Sequence, residues 1–213
     1  MRKKINIAFC DFWKGFILEK FLLFRCLDEF YDLEISKDPD LIVYSCFGKS
    51  FKEFDGIRVF FTGENVRPEF WDCDYALSFD YCERDNHLRL PLYVFHTEAH
   101  QLIKGEEDFE GILREKTKFC NFIYSNARCK IRNKFFKKLS QYKKVDAVGK
   151  LFKNIEGTIE EITGIKGPSD AKVEFLRPYK FTIAFENSSY PGYTTEKIIH
   201  PMMARSIPIY WGN

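Results

Sequence analysis

The chain has 213 residues, 45% of them hydrophobic and 30% charged, with a net charge of +2. That balance describes an ordinary globular protein, and 23 Phe supply enough bulk for a sizeable core. It excludes a globally basic nucleic-acid binder, and no apolar stretch approaches the ~20 residues of a membrane span. Seven cysteines (10, 26, 46, 73, 82, 120 and 129) form no C-x-x-C pair, so neither a disulfide framework nor a zinc site is expected. Most lie in apolar runs and read as small buried hydrophobes in a reduced, cytosolic setting.

The basic start Met1-Arg2-Lys3-Lys4 is followed by a run interrupted at Asn6 and Asp11, which is no signal-peptide core. Residues 5–12 read as a first buried strand. Over 16–30, Phe16, Ile17, Phe21, Phe24 and Leu27 recur at three-to-four spacing, which predicts an amphipathic helix. Short strands follow at 33–35, 41–45, 58–62 and 75–79, punctuated by Pro39 and Gly56. Residues 102–116 are polar and acidic and read as a linker. A second unit then opens with a strand at 119–125 and a basic helix at 127–142. Residues 153–172 read as loop-rich because of Gly157, Gly164, Gly167 and Pro168. A strand at 180–185, a helix at 195–204 and a strand at 207–211 complete the pattern. Alternating strands and helices predict an α/β fold with largely parallel sheets. Domains are expected over 1–115 and 116–213. Between Arg114 and Lys153 stand thirteen Lys or Arg against two acids, Glu115 and Asp146. Such a run is usually a solvated helix face, and it also suits a site near a diphosphate or an anionic membrane surface.

The most informative segment is Tyr179-Lys180-Phe181-Thr182-Ile183-Ala184-Phe185-Glu186-Asn187-Ser188, followed by Gly192-Tyr193-Thr194-Thr195-Glu196-Lys197-Ile198-Ile199 and the strand Ile207-Pro208-Ile209-Tyr210-Trp211-Gly212. A strand that ends in a polar cluster and feeds a helix is how open α/β sheets build ligand sites. This segment resembles the donor-binding signature of the α-1,3-fucosyltransferases of glycosyltransferase family 10, above all the bacterial members that make Lewis-type antigens. Further blocks fall in the family's order: Val59-Phe60-Phe61-Thr62-Gly63-Glu64-Asn65, Tyr75-Ala76-Leu77-Ser78-Phe79-Asp80, Arg89-Leu90-Pro91-Leu92-Tyr93, and Ser125-Asn126-Ala127 with Arg132-Asn133.

The resemblance implies two Rossmann-like domains facing a cleft (the GT-B architecture), the first holding an oligosaccharide acceptor and the second GDP-fucose. It implies inverting transfer of fucose to a hydroxyl, O3 of GlcNAc in an N-acetyllactosamine-type glycan, as in Lewis-antigen or lipopolysaccharide synthesis. No cofactor is expected beyond the donor substrate. Relatives continue past the position of Asn213, so the second domain is expected to be incomplete. Animal relatives carry an anchor that this chain does not show. A cytoplasmic setting, free or at the inner face of a membrane, is the corresponding expectation.

By the same resemblance Glu64 matches the general base, a role that suits a carboxylate within reach of the acceptor hydroxyl. Read alone it is a surface turn residue. Asn65 would orient Glu64 or touch the acceptor. Arg132 matches the arginine on the diphosphate, where a planar fork binds phosphate oxygens in pairs; its bland reading is one more solvated residue of a basic helix, and Arg128 is a decoy. Ser125 and Asn126 would open that helix, capping it or offering amides to a phosphate. Glu186 and Asn187 would surround fucose and pyrophosphate, Glu196 would hold the ribose hydroxyls, Lys197 would pair with phosphates, and Tyr193 would shape the pocket. Glu196 also suits a helix N-terminus for purely electrostatic reasons. Thr194 and Pro191 are small departures from the family pattern. His87, His96, His100 and His200 share no ligand spacing, so no metal site is expected, and no Gly-rich dinucleotide fingerprint supports hydride transfer. A non-catalytic remnant binding nucleotide or glycan, or a transferase of another sugar, are the competing readings.

Overall fold

The computed structural model describes residues 2–96, 102–103 and 105–213. The chain divides into two compact units, Met1–Phe95 and His96–Asn213. His100 lies outside the described residues.

In the first unit β1 (Lys3–Cys10), β2 (Tyr31–Ile35), β3 (Leu41–Tyr44), β4 (Ile57–Phe61), β5 (Tyr75–Ser78) and β6 (His87–Arg89) form one sheet in the order β2-β1-β3-β4-β5-β6. Every pairing is parallel, with Ile7 opposite both Ile35 and Leu41. A parallel sheet is covered on both faces, so its strands are apolar at consecutive positions. Neighbouring residues accordingly enter opposite cores. Val43 and Phe61 join Ile7 and Phe21 on one face, while Ile42 and Phe60 join Tyr44, Phe51, Cys73 and Ala76 on the other.

The helix expected over 16–30 is broken. A 3-10 turn at Leu18–Lys20 and α1 (Leu22–Phe30) flank Phe21, which is extended at φ −78°, ψ 120°. Phe21 is buried against Phe61 and Phe95, at centroid distances of 5.0 and 5.7 Å. Burying this ring outweighs the continuity of one helix.

In the second unit α2 (Phe109–Glu115), β7 (Lys118–Phe122), α3 (Lys130–Tyr142), β8 (Val145–Ala147), α4 (Ile159–Thr163), α5 (Pro168–Leu176), β9 (Tyr179–Phe185), α6 (Glu196–Met203) and β10 (Ile207–Trp211) follow in sequence. The sheet is again parallel, in the order β10-β9-β7-β8. Two expectations are corrected. The acidic stretch is not all linker, because Asp108 accepts the Gly111 amide at 2.9 Å and so caps α2. The loop-rich stretch contains α4, held by a reciprocal capping box between Thr158 and Glu161 and ended by Gly164 in the left-handed region, φ 72°. Here Gly and Pro mark helix ends within the stretch. Of the seven cysteines, Cys73, Cys120 and Cys129 are buried, Cys26 is exposed and the others are half-buried.

Candidate active site

In the second sheet, β7 and β9 are neighbours whose onward connections diverge. From β7 the chain goes through α3 to β8 on one side, and from β9 through α6 to β10 on the other. Such a switch point leaves a crevice beyond the strand C-termini, where open α/β sheets bind ligands. The residues singled out in the 125–132 and 186–197 segments converge on it.

After β7 no helix forms until Lys130, where α3 begins with no side-chain cap. Ser125 and Asn126 therefore do not open the helix. Asn126 folds its own turn, accepting the Arg128 amide on Oδ1 at 2.9 Å, while its carbonyl accepts Nη2 of Arg132 at 2.6 Å. Exposed Ser125 lines a cavity of about 550 Å³ with Val148, Lys150 and Ile159. Arg128 is exposed, as are most lysines of α3, but Arg132 is wholly buried. Its guanidinium lies 3.9 Å from the Tyr124 ring centre, and its Nη1 donates to Asn187 Oδ1 at 2.9 Å. Among the described residues Nε has no partner and no carboxylate pairs with this cation. The contact to Asn187 ties the loop after β7 to the loop after β9. Tyr124 makes a second tie, its hydroxyl lying 2.8 and 3.0 Å from the carbonyls of Ile183 and Phe185. Burial pushes the phenol's pKa up, so it stays a neutral donor.

Glu186 directly follows β9 and its carboxylate is fully buried. Oε1 accepts the Thr195 amide at 2.8 Å, the Thr195 hydroxyl lies 2.9 Å from both oxygens, and Lys197 Nζ is 3.1 Å from Oε2. Thr195 is in turn the N-cap of α6, accepting the Lys197 amide. Glu186 thus spends its acceptors on orienting the start of α6. Gly212 makes the fit possible, since a Cβ there would stand 2.6 Å from Glu186 Cγ and 2.5 Å from the Tyr210 hydroxyl oxygen. Tyr193 is buried at 2% exposure, shaping the turn before α6.

Glu196 and Lys197 are the first two residues of α6, with side chains 18% and 16% exposed. Burial alone would raise the Glu196 pKa, but the positive field of Lys197 and Lys172 outweighs it and holds the carboxyl well below the usual range. One turn on, His200 is 2% exposed and neither ring nitrogen has a partner among the described residues. Burial, reinforced by Lys172, drives its pKa far down, so it is neutral. Its ring meets that of His96 edge-on at 5.8 Å.

Glu64 lies in the first unit, three residues past β4. Buried Thr62 builds its turn, with Oγ1 accepting the Glu64 amide at 3.0 Å, and the Val66 amide donates to the Glu64 carbonyl at 2.7 Å. This leaves the Glu64 side chain exposed and Asn65 half-buried. A Cβ at Gly63 would come within 2.8 Å of Leu92 Cδ1, so the turn packs closely on the segment after β6.

Sequence reasoning missed Tyr124, Thr195, Lys172 and His200. Thr195 carried a signal, a threonine just before an apolar-periodic run. Lys172 carried none, since it stands on a different helix from the segment it serves. Among the described residues no group of three His, Cys, Asp or Glu is placed to hold a metal ion.

Two parallel α/β units, the second with buried Arg132 and half-buried Lys172 and Lys197 near the carboxyl ends of its strands, place the chain among proteins built on open parallel α/β sheets. Comparison with known proteins makes the class specific. Residues 7–96 match the model of the alpha-(1,3)-fucosyltransferase FucT N-terminal domain, and residues 113–213 match that of the glycosyltransferase family 10 (fucosyltransferase) C-terminal region. The chain belongs to glycosyltransferase family 10. The Helicobacter pylori alpha-(1,3)-fucosyltransferase FucT is 29% identical over 251 residues, covering 98% of this chain and 50% of that protein. A putative fucosyltransferase of Acanthamoeba polyphaga mimivirus is 43% identical over 103 residues, 47% of this chain and 17% of its own. A crystal structure of an α1,3-fucosyltransferase with GDP-fucose superposes over 100% of this chain and 70% of that one, with a TM-score of 0.75 at 26% identity. The chain therefore spans about half the length of the H. pylori relative. No helix among the described residues is long and apolar enough to cross a membrane.

Proposed function

We propose that this chain works as an inverting fucosyltransferase, moving fucose from GDP-fucose to a hydroxyl, O3 of GlcNAc, of an N-acetyllactosamine-type glycan in a bacterial, cytoplasmic setting. The second unit takes the donor and the first supplies the acceptor site and the base. The observation that carries the reading is the buried Arg132, a guanidinium at the switch-point crevice that has amide-type acceptors and no carboxylate among the described residues. A buried cation without a counter-ion is costly, and a diphosphate oxygen joining or replacing Asn187 at Nη1 would supply the missing charge. Lys197 would add a second cation to the leaving group and Glu196 would accept from the ribose diol. Cations held in place before reaction stabilise charge that develops only as the diphosphate departs.

In the proposed step the acceptor oxygen bonds to C1 of fucose as the C1–O bond to GDP breaks. The electron pair leaves with GDP, and the acceptor proton passes to Glu64. Mass spectrometry of N-acetyllactosamine incubated with GDP-fucose and the protein tests this. A gain of one deoxyhexose, lost in Glu64→Gln, is the expected result. No gain from folded protein, alone or within a longer gene product, would overturn the transferase reading in favour of a binding remnant or another donor sugar.

A further inference from the structure

The donor-site carboxylates are partnered one by one. Glu186 takes Lys197 at 3.1 Å. Glu196 would be left to compete for the same ammonium if α6 were its whole environment. Instead Lys172, projecting from α5, stands with Nζ 3.8 Å from Glu196 Oε1, its side chain only 21% exposed. Lys172, Glu196 and Lys197 line one small cavity of about 80 Å³ with Tyr124 and Thr182, between the sheet and helices α5 and α6. We propose that Lys172 is a positioning residue of the donor pocket: it gives Glu196 a lysine of its own and so leaves Lys197 to Glu186 and the diphosphate. The proposal rests on the donor reading above and adds to it the device that keeps Glu196 ionised and aimed.

The charge count supports it. Arg132, Lys172 and Lys197 face Glu186 and Glu196 in this layer, with one pair for each lysine and Arg132 left over for an anion. The remaining titratable neighbours do not alter the count. His96 and His200 are both pushed toward the neutral form by burial, and the Tyr124 phenol is kept neutral by burial. Burial also lowers the pKa of Lys172 itself, opposed chiefly by Glu196, so the two groups hold each other in the charged state. Without Lys172, Glu196 loses one of its two main cationic supports and turns toward Lys197, drawing that ammonium away from Glu186.

The test uses the full chain in two arms. In ligand-free protein, carbon-13 titration of the Glu196 carboxyl, assigned with Glu196→Gln, is compared between wild type and Lys172→Met. The expected result is no titration above about pH 4 in wild type and a midpoint moved up toward the ordinary 4.5 in the variant. In the second arm calorimetry with GDP reads a dissociation constant about tenfold weaker in Lys172→Met at neutral pH, weakening further as pH falls, with Lys172→Arg restoring both. A purely structural lysine would move the melting temperature but not the acid limb. Should Lys172→Met fail to fold, Lys172→Gln carries the same readings. Unchanged Glu196 titration and unchanged GDP affinity in a folded variant would overturn the proposal. Failure of wild type to bind GDP would instead remove the donor reading, and the role in that pocket with it, while the carbon-13 arm still decides whether the pair exists.

Discussion

Replacing Glu186 by Gln changes one atom type and should uncouple α6 from the strand that precedes it. The glutamine carbonyl can still accept the Thr195 amide, now at 2.8 Å from Oε1. Its NH2 group must then face Lys197 Nζ, which stands 3.1 Å from the other oxygen, and two donors meet. Loss of a charge-assisted hydrogen bond costs about 1.5–3 kcal/mol, and stranding a buried ion costs about 3–5 kcal/mol. Because Lys197 keeps 16% exposure, water relieves part of the second cost, and a total of about 3 kcal/mol follows. Native-state hydrogen exchange at the Thr195 amide is the sharpest assay, because that amide bonds directly to Glu186. Each 1.4 kcal/mol is tenfold, so its protection should fall about a hundredfold. Glu196→Gln is the control, since the Glu196 carboxylate does not touch Thr195 and should leave this amide protected. A fall of less than about threefold in Glu186→Gln would refute the claim that this carboxylate organises the site.

Three more outcomes follow from the same packing. Lys116 is buried and its ammonium donates to the Arg177 and Ala204 carbonyls, the latter at 2.8 Å, beyond the ends of α5 and α6. Lys116→Met should lower the free energy of urea unfolding by about 2–3 kcal/mol, as two buried carbonyls lose their donor. Gly212→Ala should destabilise the second unit and weaken GDP binding, because the new methyl meets Glu186 Cγ at 2.6 Å; calorimetry with GDP reads it. His200 has its pKa lowered on folding, so below the ordinary 6.5 the unfolded chain binds a proton that the folded one does not, and stability falls as pH drops through that value. His200→Leu should remove about 1.4 kcal/mol per pH unit of that slope in unfolding curves measured between about pH 6 and 5.

How much of this was readable before folding depends on the range of the interactions involved. The strand at 179–185, the helix at 196–203 and the strand at 207–211 lay within about two residues of where periodicity and caps put them, because their signals are local. The turn that presents Glu64 was legible for the same reason, Thr62 and Gly63 being adjacent to it. Strand β8, at three residues, is too short to leave a periodic trace, and α2 hides its cap inside an acidic run that looks like linker. The break at Phe21 is tertiary, set by rings from β4 and from the segment after β6.

The candidate site divides along the same line. Residue types were legible in the 186–197 segment, yet their division of labour was not. Glu186 is the middle of the most recognisable stretch in the chain, and the structure spends its carboxylate on Thr195 and Lys197. Arg132 sits in a basic run whose composition predicts a solvated face, and it is the member of that run with the least exposure because the Tyr124 ring and the loops carrying Asn126 and Asn187 pack against it. Lys172 precedes the segment by a whole strand and enters the site only because α5 and α6 pack side by side. A parallel sheet makes this unavoidable. Its crevice is assembled from loops that neighbouring strands send to opposite sides, so Lys172 reaches Glu196 and Arg132 reaches Asn187 from separate segments of the chain.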